Sequence, residues 1–182
     1  DLGELILDKT EGVPFFVEEF VKSFKNLNIL ERDGAVYCLS KDALHMEIPS
    51  TIHDVIMARV DALPETAKNV LQIASVIERE FSGELIRRVS GCQEDELLES
   101  LAALLDAELL LERGVAPHVT YAFKHALTRD VVNDSILTSR KRDLHNQVGI
   151  AIEDTYGDRL DIRYETLADH FMASKNYVKA AE

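Results

Sequence analysis

Apolar residues in this chain recur every three or four positions over most of its length, and that rhythm gives way in only two short stretches. This limits the fold to a mainly α protein with small β insertions, because a 3.6-residue period lines one face of a helix and a two-residue period lines one face of a strand. Leu2, Leu5 and Ile6 predict a short amphipathic helix that Gly12 and Pro14 interrupt, after which Phe16, Phe20 and Phe24 recur every four residues. Over residues 28–39, two short apolar runs flank Asp33-Gly34, a dipeptide whose tolerance of positive φ closes a tight hairpin, so a β-ribbon is expected there.

Pro49 ends that insert, and Thr51 with Asp54 carries the spacing of a capping box ahead of Ile52, Val55, Ile56, Val60 and Leu63. Pro64 is expected in the first turn of the next helix, where a missing amide costs nothing, with Ala67, Val70, Leu71, Ala74 and Ile77 on one face. Two further helices fit residues 83–89 and 94–107. The run Leu109-Leu110-Leu111 follows, then a polar turn at Arg113-Gly114, then Val119, Tyr121 and Phe123 alternating with Thr120, Ala122 and Lys124. Three helices and then a β-hairpin make a winged-helix pattern.

From His125 the period is helical again, through Val131, Val132, Ile136 and Leu137, then through Leu144, Val148, Ile150, Ala151 and Ile152. Residues 164–172 and 177–181 resemble the opening helix pair of a tetratricopeptide-like α-solenoid. The expected organisation is a helical lid region with a β-hairpin insert (1–62), a winged-helix domain (63–137), and a linker helix with the start of a solenoid (138–182).

Thirty-three acids against 20 bases give a net charge of −13. Such a surface repels phosphate backbones and anionic headgroups. The presumptive recognition helix of the winged-helix pattern carries Glu94, Asp95, Glu96, Glu99 and Asp106, and no Lys or Arg lies between Gln93 and Glu108. Groove binding needs cations that displace phosphate counterions, so nucleic acid is not an expected partner. Arg140-Lys141-Arg142, with Arg129 and Lys124, forms a basic cluster that reads as a solvated helix start or as salt bridges to the acidic excess, with phosphate binding the lesser alternative. Cys38 and Cys92 lack ligand or disulfide spacing, no signal peptide opens the chain and no run of eighteen apolar residues occurs, so a membrane is not expected and a reducing cytoplasm is. The absence of an initiator Met and an end in mid-pattern at Ala180-Ala181-Glu182 read as part of a longer chain.

No glycine has the spacing of a phosphate-cradling loop, so the chain alone is not expected to hydrolyse ATP. His53-Asp54, Asp143 with His145, and Asp169-His170 are sequence neighbours on helices, where adjacent side chains diverge, and no serine or cysteine has a nucleophile's context. The chain therefore reads as no enzyme by itself. Two elements remain as candidate sites. Gly12-Val13-Pro14 reads from its residues as a helix-breaking turn, which any Gly-x-Pro supplies. His125 sits where a strand hands over to a helix, beside amides without intrahelical partners, and is either an anion contact or a hydrogen-bonded structural residue.

Taken together, Gly12-Val13-Pro14-Phe15-Phe16-Val17-Glu18-Glu19, the block from Ile48 through Pro64, and Phe123-Lys124-His125-Ala126-Leu127 resemble the back half of a signal-transduction ATPase of the STAND class. These are AAA+-related regulatory ATPases, often fused to class III adenylate or guanylate cyclases or to transcriptional output domains. The resemblance implies ATP or ADP held by an upstream P-loop core, with Gly12 and Pro14 contacting the base from the lid. It also implies that His125 touches the β-phosphate of ADP, as a winged-helix histidine does in apoptosome and plant-resistance relatives. Many relatives carry Asn where this chain has Val13, and Asp where it has Ala126. Implied partners are that core, downstream helical repeats and a protein effector. The rival readings are a helical interaction scaffold and a DNA-binding winged-helix regulator.

Overall fold

In the computed structural model, residues 2–26, 30–33, 36–39, 51–114, 119–157 and 163–181 are described. The chain is mainly helical, with two small antiparallel sheets, and divides into two compact units, Asp1–Ala62 and Leu63–Glu182.

The first unit opens with α1 (Leu2–Thr10) and α2 (Pro14–Asn26). Phe20 and Phe24 are fully buried and meet edge to face at 5.9 Å, and with Ile6 and Val55 they form the core of this unit. The four-residue spacing of the phenylalanines puts both rings on one helical stripe, and burying each contributes roughly 2 kcal/mol. The ribbon β1 (Leu30–Asp33) and β2 (Val36–Leu39) pairs antiparallel, Asp33 opposite Val36. Gly34, expected in the turn, and Pro49 lie outside the described residues. Helix α3 (Ile52–Asp61) starts with the expected capping box: Thr51 Oγ1 accepts from the Asp54 amide at 3.1 Å, and the Thr51 amide donates to Asp54 Oδ2 at 3.1 Å. Buried Glu19 of α2 forms an ion pair with buried Arg59 of α3.

The second unit is built on α4 (Glu65–Ile77), whose expected face is buried: Ala67, Val70, Leu71 and Ala74 are fully so, and Ile77 nearly so. Pro64 stands one position earlier than the sequence predicts. Its ψ of 146° is extended, so it caps α4 from outside, and its carbonyl accepts the first helical bond, from Lys68, at 2.9 Å. Strand β3 (Glu80–Ser82) then precedes α5 (Gly83–Ser90) and α6 (Glu94–Asp106), and β4 (Leu110–Arg113) and β5 (Thr120–Phe123) complete a three-stranded sheet in the order β3-β5-β4. The sequence reading contains no β3, since three residues are too few to show alternation. Phe81 of β3 stacks on Tyr121 at 6.1 Å and meets Phe123 edge-on at 6.5 Å, so an aromatic cluster ties the new strand to β5.

Helices α7 (Ala126–Ser135), α8 (Thr138–Tyr156), α9 (Tyr164–Ser174) and α10 (Tyr177–Ala180) follow. Two apolar expectations fail here. Leu137 is 75% exposed, because α7 stops at Ser135 and the extended residues 136–137 turn only Ile136 inward. Ile150 is 40% exposed, because the buried stripe of α8 runs through Leu144, Val148, Ala151 and Ile152 and leaves it at the border. Helix α8 packs on α4 and α5 as well as on α9, so it shares the core of this unit. No helix among the described residues is long and apolar enough to cross a membrane.

Candidate functional site

Gly12 and Pro14 belong to the first unit. Glu11 and Gly12 both adopt positive φ, 51° and 72°, and the Val13 amide donates to the Thr10 carbonyl at 2.9 Å, reversing the chain between α1 and α2. A Cβ on Gly12 would meet nothing within 4 Å, so glycine serves the backbone conformation here, not close packing. Pro14 is the first residue of α2, where its fixed φ suits the helix and its lack of an N–H leaves nothing unpaired. Thr10, fully buried, donates from Oγ1 to the Ile6 carbonyl at 2.7 Å and anchors the turn from inside. Gly12, Val13 and Pro14 are all exposed, so the turn offers an edge of backbone and one rigid ring to a partner.

His125 belongs to the second unit. It occupies the N-cap position of α7, with extended backbone (φ −133°, ψ 136°), two residues after β5 ends. Its side chain makes no capping bond to α7; the residue is half-buried and Nε2 is buried. The amides at the start of α7 and this imidazole are groups that suit an anion. The adjacent cations are already committed. Lys124 pairs with Glu108 at 2.6 Å, and Arg129 donates from Nε to the Ser75 carbonyl at 3.1 Å and lies 3.7 Å from Asp130. Farther along, Arg140 bonds Asn69 and Lys141 lies 3.9 Å from Asp134. Four cations of the sequence's basic cluster, Lys124, Arg129, Arg140 and Lys141, are thus engaged in salt bridges and hydrogen bonds. Helix α6 presents Glu94, Asp95, Glu96 and Glu99 to solvent, and a phosphate backbone would meet only repulsion there.

The structure also brings together two histidines that sequence reasoning weighed only against their neighbours Asp143 and Asp169. His145 of α8 and His170 of α9 place their Nδ1 atoms 2.9 Å apart, with ring centroids at 5.1 Å. His170 is 5% exposed. Burial foremost, then the positive charge His145 can carry, lowers its pKa to about 4; Asp169 and a hydrogen bond to the Ile77 backbone oppose the shift, and Arg129 adds to it. Burial also lowers His145, with Lys141 and Arg129 adding to the effect. The available signal was placement on apolar faces: His145 lies three residues before Val148 and His170 three after Leu167. Among the described residues, no group of three His, Cys, Asp or Glu side chains could hold a metal ion.

Compared with known proteins, the chain matches no family model, and no curated protein gives a match.

Proposed function

We propose that this chain is the regulatory, nucleotide-state-sensing part of a STAND-type ATPase, coupling ATP or ADP held by an upstream P-loop core to a protein effector such as a nucleotide cyclase. The observation that carries this reading is the element order α4-β3-α5-α6-β4-β5 with sheet order β3-β5-β4, followed at once by His125. That order supports the winged-helix reading, and the acidic α6 favours a protein partner over DNA for it. The exposed turn at Gly12-Val13-Pro14 supports the lid role, and the α8–α10 helices support the start of a solenoid. In this mechanism ADP contacts Pro14 and His125 in a closed state and not in an open one, and only such a difference between states can shift their populations.

The test is His125→Ala in the full-length parent protein, with ADP dissociation followed by a fluorescent analogue. The coupling between two sites in such switches spans roughly 5- to 150-fold, and ADP retention is expected to weaken by about tenfold. Unchanged affinity and unchanged ATPase activity would remove His125 from the mechanism. A second reading, an interaction scaffold without nucleotide, is favoured by the exposed Tyr164, Tyr177 and Val178. Failure of the parent to bind ATP or ADP by calorimetry would select it.

A further inference from the structure

Helix α9 and the short α10 are fastened to α8 by a series of contacts spread over two turns of α8: His145 with His170, Asn146 with Asn176 at 3.0 Å, Gly149 under Phe171, and Glu153 with Lys179. Two of these, an amide pair and an apolar contact, contain no titratable group. The first of the series depends on a proton. Two ring nitrogens 2.9 Å apart can share one hydrogen, so one ring must donate from Nδ1 and the other must offer a lone pair there.

The roles follow from the surroundings. Hydrogen bonding of His170 to the Ile77 backbone favours the protonated ring, so the backbone group is the carbonyl and the ring is the donor. With Nδ1 facing His145, the donor to Ile77 is assigned to Nε2–H. A neutral His170 therefore presents a lone pair at Nδ1, and His145 is the ring that carries Nδ1–H. A first added proton goes to Nε2 of the half-buried His145 and leaves this bond intact, now charge-assisted. A second must go to Nδ1 of His170, where two N–H groups would then face each other.

We infer that the His145–His170 pair is a proton-operated latch: it holds α9 and α10 against α8 while His170 is neutral, and releases them when both rings are charged. The groups around it favour release. Arg129 from α7 and Lys141 from α8 add positive charge, against which stands Asp169 of α9. Ile77 at the end of α4 contributes its backbone, and the neighbouring Glu78 lies 3.8 Å from Arg163. On α10, Lys179 is engaged by Glu153 and lies over the Phe171 ring at 5.3 Å. Release would uncover Leu167 and Phe171, both buried while the latch is closed.

The sign of the pH effect is fixed by the lowered pKa values. An unfolded histidine takes its proton near pH 6.5, whereas His170 in the fold resists to about 4, so attachment of α9 is complete above about 6.5 and is lost as pH falls toward 4. The experiment is hydrogen exchange of the whole chain at pH 7.0, 5.5 and 4.5, corrected for intrinsic rates, with 15N spectra of the imidazoles recorded in parallel. Amide protection in α9 is expected to fall at least tenfold more than in α4, and at pH 7 His170 should be the Nε2–H tautomer and His145 the Nδ1–H tautomer. Uniform loss of protection along the chain, or the opposite tautomers, would overturn the latch. His145→Gln supplies a second arm. Its side chain can flip to accept from a charged His170, so the extra loss in α9 should disappear, and its persistence would refute the pairing as the cause.

Discussion

In Asp1–Ala62 a buried ion pair joins Glu19 of α2 to Arg59 of α3, whereas in Leu63–Glu182 a part-buried polar contact between α8 and α9 joins two imidazoles. The guanidinium keeps its charge at any pH a protein survives, so the cationic half of the first contact does not titrate. The imidazoles hold together only with the right number of protons. The cores around them differ as well. The first unit's core centres on a few large side chains, Phe20 and Phe24 above all, while the second spreads burial over α4, the sheet and α8. A small core dominated by one helix pair is sensitive to any unpaired charge in its seam, and a broad core can release one peripheral helix and keep the rest.

The sharpest way to break that contrast is Arg59→Ala. Glu19 is 1% exposed, and its remaining cation, Lys22, stands 3.9 Å from Oε1. Removing one partner of a buried pair costs about 3–5 kcal/mol, because the other charge is left desolvated. That loss should register in the urea midpoint of α2 and α3 followed by hydrogen exchange. Replacing both residues, with Glu19→Leu and Arg59→Met, should return most of it, since an apolar pair of similar volume is often as stable. A single-variant loss under about 1 kcal/mol would mean that the pair does not hold the seam.

A smaller effect is expected from Gly149→Ala in the second unit. The added Cβ would lie 2.6 Å from Phe171 Cε1 and 2.9 Å from Cζ, and Phe171 is fully buried, so the ring has little room to retreat. Overpacking of this kind costs about 1–3 kcal/mol, against about 1 kcal/mol gained from alanine's helix propensity. The steric term wins, and a net loss of about 1 kcal/mol should appear as a lower melting temperature and a weaker α8–α9 seam. Gain of stability instead would show that α9 shifts freely on α8.

What the sequence reveals about this molecule is what short-range chemistry decides. The capping box at Thr51 and Asp54 is three residues wide, and the rings of Phe20 and Phe24 follow from period alone, so both were legible. The place of His125 was legible for the same reason: the switch from alternation at Tyr121 and Phe123 to helical spacing at Val131 marks the junction it occupies. Pro64 lies one position outside the place its sequence context suggests, because its role depends on ψ, which a proline's fixed φ does not reveal. Strand β3 was invisible because its three residues are strand only through pairing with β5, a partner some forty positions away. The two histidines, 25 residues apart, meet only through the register of α8 on α9, and no local pattern encodes a register.

The smallest effect tests whether the first unit also depends on its local signals. Thr51→Ala removes the oxygen that accepts from the Asp54 amide and leaves intact the reverse bond, from the Thr51 amide to Asp54 Oδ2. N-cap truncations cost about 1 kcal/mol, and half of the box survives this one, so the loss in the urea midpoint should be about 1 kcal/mol or less. Ser82→Ala at the start of α5 is the matched control, because Ser82 accepts from the Leu85 amide at the same 3.1 Å. Both variants forfeit one capping bond, but α3 contributes Val55 to a small aromatic core and α5 is packed against α4 and α8. A cap should therefore matter more to α3. If Ser82→Ala proved the more damaging, the stability of the first unit would have to come from its rings and ion pair, with the start of α3 carrying little of it.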